Sequence, residues 1–88
     1  MANKEKLLRK LFQKKLPRNF TKKDLESLMS SCGCVKVQGG RGSGIRFYHE
    51  ATGRILAFDE PHPENELYPY QVRMTRRFLI EIGEYKED

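Results

Sequence analysis

Bulky apolar residues near the start of the chain recur at helical intervals. Leu7, Leu8, Leu11 and Phe12 share a stripe, while Lys4, Lys6, Arg9, Lys10 and Lys14 fill the positions between them. The spacing predicts a cationic amphipathic helix over residues 3–15, closed before Pro17, whose ring and missing N–H do not suit a helix interior. Such a stripe needs a core to cover. A basic amphipathic helix can also lie on a membrane surface, but three or four leucine-sized groups fit packing better. A second helix is predicted over residues 22–31. Thr21 stands three residues before Asp24, so its hydroxyl can accept from an unpaired N–H at the helix start, and Gly33 supplies the left-handed residue that commonly closes a helix. Leu25, Leu28, Met29 and Cys32 form its buried stripe.

The period then shortens to two. Val35 and Val37 alternate with Lys36 and Gln38, which predicts a strand over residues 34–38 with the valine face on the core. After a glycine-rich stretch, Ile45, Phe47 and His49 alternate with Arg46 and Tyr48 in a second strand whose Ile45 and Phe47 side faces inward. The turn Glu50-Ala51-Thr52-Gly53 leads to a third strand, Arg54 to Phe58, completing an antiparallel meander. Residues 59–69 hold three prolines and no periodic apolar pattern, so they are expected to form an exposed connection. A last helix is predicted over residues 70–82, with Val72, Thr75, Leu79 and Ile82 on one face, Phe78 beside them, and Arg73, Arg76 and Arg77 elsewhere. Gly83 ends it, and residues 85–88 are expected to fray. The elements therefore predict an α+β fold.

Length restricts the architecture further. Eighty-eight residues at 38% hydrophobic content support one compact domain, organised as a basic helix in residues 1–18 and a main part in residues 19–85. Lys and Arg outnumber Asp and Glu by 17 to 12, a net charge of +5, which suits either a polyanionic partner or a well-solvated surface. No apolar run reaches the roughly 18 residues that span a bilayer, and the first ten residues lack a signal-peptide core, so no membrane is expected and the cytoplasm is the expected location. Cys32 and Cys34 are one residue apart, too close for a relaxed disulfide, and are expected to be reduced. A Cys32, Cys34, His49, His62 zinc set departs from the usual ligand spacing, and no metal or cofactor is expected.

The candidate chemistry lies in residues 39–67, which contain both histidines. A glycine-rich turn, arginines that can hold phosphate oxygens and histidines that titrate near neutral pH suggest work on a phosphodiester. That chemistry needs a base for the attacking hydroxyl, an acid for the leaving oxygen, and cations or amides for the charge that builds on phosphorus. His49 and His62 are the candidate proton-transfer pair. Arg41, Ser43 and Arg46, with the amides of residues 42–44, are candidate phosphate contacts. Each has a structural alternative: His62 as a turn residue bonded to Asp59 or Glu60, His49 as a core histidine, and the glycines as a flexible connection between strands. Arg73, Arg76 and Arg77, with Lys14, Lys15, Arg18, Lys22 and Lys23, can form an RNA-facing surface or a solvated one. Exposed Tyr48, Tyr68 or Tyr70 would add stacking platforms for unpaired bases.

Gly42-Ser43 leading into a strand, and His62-Pro63-Glu64-Asn65-Glu66-Leu67 before the final helix, resemble the HicA family of toxin ribonucleases over roughly Phe20 to Gly83. The resemblance implies a fold like the double-stranded RNA-binding domain, α-β-β-β-α with both helices on one face of a three-stranded antiparallel sheet. The first helix would then be an addition to the family core. It also implies a type II toxin-antitoxin role, metal-independent endoribonuclease activity on mRNA, and a HicB-like antitoxin partner. The family's catalytic histidine follows Gly-Ser directly or one residue later, and those positions here are Gly44 and Ile45. Two rival functions remain open: an RNA-binding module without cleavage, and a protein-interaction domain that docks an acidic partner.

Overall fold

The computed structural model describes residues 4–38, 44–59 and 65–86. The elements are α1 (Lys4–Leu11), α2 (Lys22–Ser31), β1 (Cys34–Gln38), β2 (Gly44–His49), β3 (Ile55–Asp59) and α3 (Pro69–Glu81). Thr21 caps α2 as its spacing predicts. Its hydroxyl accepts from the Asp24 N–H at 3.1 Å while the Asp24 carboxylate accepts from the Thr21 N–H at 3.2 Å. Phe20, just before the cap, and Leu25, four positions into the helix, are both fully buried in one cluster, the placement of a hydrophobic staple that fixes the chain's entry angle. Gly33 leaves the helix at φ +78°, where a side chain would be strained.

The sheet is antiparallel in the order β1-β2-β3, giving the expected meander. Leu7 and Leu11 of α1, Leu25, Leu28 and Met29 of α2, and Val72, Phe78 and Leu79 of α3 share one core with Cys34, Ile45, Phe47 and Leu56 of the sheet. Helices α2 and α3 therefore cover one sheet face, α2 against β1 and α3 against β3, with α1 packed on α2, and the other face is open. This is the α+β, double-stranded RNA-binding-domain-like arrangement that the resemblance implies. Burying each leucine- or phenylalanine-sized side chain stabilises the fold by about 1.5–3 kcal/mol.

Four expectations are corrected. Val35 and Val37 lie on the open face, 45% and 43% exposed, whereas Cys34 points inward. The register explains this: Cys34 is opposite His49 and Lys36 is opposite Phe47, so the inward face of β2 assigns the valines to the other side. Next, α1 ends at Leu11 and not near Lys15, because the Arg76 guanidinium donates to the carbonyls of Leu11 (2.6 Å) and Gln13 (2.8 Å), partners that a continuing helix would use internally. The connection before α3 is pinned over its described part. Leu67 is buried and its N–H donates to the Phe20 carbonyl at 2.8 Å, while the Lys22 N–H donates to Asn65. Finally, Tyr85 is not frayed: its ring stacks on Phe12 at 3.7 Å between centroids.

Candidate nucleic-acid interface

The open sheet face is built by alternation. Val35 and Val37 of β1, Arg46 and Tyr48 of β2, and Ile55 and Ala57 of β3 project from it, with Arg46 set between Val37 and Ala57 across the strands. Arg46 is exposed and has no acidic or hydrogen-bonding partner among the described residues. Gly44 opens β2 on this same face, and a Cβ placed on it would meet nothing within 4 Å. Ile45 turns into the core and is 5% exposed. Of the two positions where the resemblance puts a catalytic histidine, one is therefore open and bare and the other is buried.

His49 ends β2 on the core side at 6% exposure. Its Nδ1 is 2.7 Å from Thr52 Oγ1, a hydrogen bond across the β2–β3 turn. Gly53 closes that turn at φ +75°, its N–H donating to the His49 carbonyl. His49 is thus tied into the hairpin with little surface for a substrate to reach. His62, Arg41 and Ser43 lie outside the described residues. Cys32 and Cys34 are free and buried, and burial, helped by the Glu84 carboxylate, pushes their thiols up to about 12 and about 11. Neither is poised as a thiolate nucleophile.

The three α3 arginines separate into different roles. Arg73 is exposed and has no partner among the described residues. Arg77 stands 3.7 Å from Glu81 on the same helix, an exposed pair of small energetic weight. Arg76 is committed to the Leu11 and Gln13 carbonyls, and its guanidinium lies over the Phe12 ring at 5.6 Å. Beside Arg73, Tyr68 and Tyr70 are 37% and 47% exposed, with ring centroids 6.3 Å apart. The sequence reading missed Gln71, which is fully buried. Its Oε1 accepts from the Tyr68 N–H at 2.9 Å, and its Nε2 donates to the Asp59 carbonyl at 2.6 Å, joining the end of β3 to the start of α3. A glutamine three residues after a helix-starting position was the available signal.

A three-stranded antiparallel sheet with helices on one face, and Arg46 and Arg73 exposed without partners among the described residues, defines a small α+β domain whose fold is like the double-stranded RNA-binding domain. A family profile described as "HicA toxin of bacterial toxin-antitoxin" matches residues 23–79, well over half of the chain, and the protein belongs to that family. No curated protein and no solved structure matches it.

Proposed function

We propose that this chain is the toxin of a type II toxin-antitoxin pair, that it binds mRNA through its exposed cations, and that it cleaves the bound strand without a metal. Membership of the HicA family over residues 23–79 is the observation that carries this reading. Arg46 and Arg73, exposed and without partners among the described residues, are suited to phosphate oxygens. With His49 buried and bonded to Thr52, proton transfer falls to His62. It takes the 2′-hydroxyl proton as the 2′-oxygen attacks phosphorus, and returns a proton to the departing 5′-oxygen. Arg41, Ser43 and Arg46 stabilise the charge on the phosphoryl oxygens. A HicB-like antitoxin is the protein partner, and the cytoplasm is where the pair acts.

A second reading is favoured by one specific observation. Gly44 carries no side chain and Ile45 is buried, so neither position can supply the family's histidine. In this reading the domain grips RNA without cutting it. Labelled mRNA incubated with the protein in excess EDTA separates the two. Cleavage that disappears in folded His62→Ala and persists in His49→Ala supports the toxin nuclease. Retardation without products supports the binder, and there Gly44→His, which the open space at that position accommodates, is expected to restore cutting. Absence of RNA affinity at low salt overturns both.

A further inference from the structure

Arg73 does not stand alone at the start of α3. With Tyr68, Pro69 and Glu66 it forms one wall of an open cleft of about 660 Å³, and residues 15–18 of the α1–α2 connection form the other. Lys15 and Arg18 therefore face the same space as Arg73. All three cations are exposed and have no hydrogen-bonding or acidic partner among the described residues, and Glu66 is the single acid on the lining. Between the cations, the walls are apolar at Leu16 and Pro69, and Tyr68, whose ring neighbours that of Tyr70, also lines the cleft. The volume lies within the range of about 300–1,000 Å³ typical of small-ligand sites.

Both walls are fixed in place. The Leu67 N–H donates to the Phe20 carbonyl and the Lys22 N–H to the Asn65 carbonyl, each at 2.8 Å, which fastens the chain before α3 to the chain before α2. Arg76 holds the other end of the connection through the Leu11 and Gln13 carbonyls. A ligand entering the cleft would have little chain to order, and pre-organisation of this kind favours affinity. Lys15 and Arg18 also lie outside residues 23–79, so the family match does not account for this cleft.

We propose that the cleft is a subsite for single-stranded RNA, with Lys15, Arg18 and Arg73 holding backbone phosphates and Tyr68 stacking on an unpaired base. The inference rests on the RNA-binding reading above and adds where, and in which form, the strand is held. Cations beside an aromatic ring are the combination that grips a single strand without reading its sequence. A base-paired helix keeps its bases stacked on one another and offers no free face to the ring.

The test uses the full chain and a short fluorescent RNA with no paired segment, titrated over a range of salt concentrations. Lys15→Gln/Arg18→Gln/Arg73→Gln is expected to weaken binding at least about tenfold and to reduce the salt slope by about 2, at roughly 0.7 per lost phosphate contact on a single strand. Tyr68→Leu is expected to weaken it roughly fivefold or more, while Tyr68→Phe binds like the parent. Lys6→Gln/Arg9→Gln, which removes exposed charge elsewhere, is the control and should have a much smaller effect. Circular dichroism establishes that each variant is folded, and ultraviolet crosslinking with peptide mass spectrometry gives a readout that needs no variant, with adducts expected at Tyr68. Parent-like RNA binding by the folded triple variant, alongside weakened binding by Arg46→Gln, would overturn the subsite while leaving RNA binding intact. Loss of binding to an acidic peptide with RNA binding unchanged would overturn it as well. Absence of RNA binding by the parent chain would instead remove the reading on which it rests.

Discussion

Asp24 shows how much one side chain at a helix start can hold together. Its carboxylate accepts from the Thr21 N–H and from the Lys10 ammonium at 2.8 Å, so it closes the α2 cap and ties α1 to α2. Burial by itself would push this carboxyl up, but the hydrogen bonds from Lys10 and Thr21 and the Lys10 charge together bring it below its ordinary 3.8. A carboxyl lowered in the folded state contributes stability above its unfolded value and loses it as pH falls through the folded one. Asp24→Asn is therefore expected to cost about 1 kcal/mol near neutral pH, with the gap to the parent narrowing below about pH 4 as the parent's own carboxylate protonates. Urea denaturation of both proteins at neutral and acid pH checks this, and a gap independent of pH would count against it. The cap was legible because Thr21 and Asp24 are three residues apart. The Lys10 partner was not, since it depends on how two helices pack.

The elements were legible in kind, and less so in extent and facing. The alternation of Val35 to Gln38 correctly gave a strand but put the wrong face of it on the core, since alternation fixes a period and not a side. The register against Phe47 and His49 supplied the side. The end of α1 was misread for a similar reason: Pro17 is a visible breaker, whereas Arg76 reaches Leu11 across 65 positions of sequence. That contact gives an element-scale prediction. A planar guanidinium spans two carbonyls, which an ammonium cannot do in the same geometry, so even Arg76→Lys should loosen the docking of α1. Arg76→Ala is expected to destabilise the protein by about 1.5–3 kcal/mol, the range for a charge-assisted hydrogen bond. It should also change the environment of Tyr85, whose partner Phe12 lies under the same guanidinium. Chemical denaturation and tyrosine fluorescence read the two effects; unchanged stability would mean that the apolar contacts alone hold α1.

At the scale of the whole molecule, the family match begins at residue 23, yet the core does not divide there. Leu7 and Leu11 belong to the same cluster as Leu25, Leu28 and Leu79, and Leu11 is fully buried. The amphipathic pattern showed that the first helix needed a core, but nothing in a local pattern identifies which core. The candidate site has the same history: Lys15, Arg18 and Arg73 were visible as charges, and only the fold brings residues 15–18 to the start of α3. We expect residues 4–86 to unfold as one cooperative unit, with α1 as part of it. Leu11→Ala should then cost about 2–5 kcal/mol, as other buried leucine truncations do. That loss should appear in the exchange of the slowest amide hydrogens throughout α2 and α3, because those amides open through global unfolding. If α1 were a separately stable attachment, the substitution would speed exchange in α1 and leave the α2 and α3 amides protected. Native-state hydrogen exchange of the parent and Leu11→Ala distinguishes these patterns. Uniform loss of protection would show that residues outside the family match help hold the shared core together, and with it the wall that presents Lys15 and Arg18.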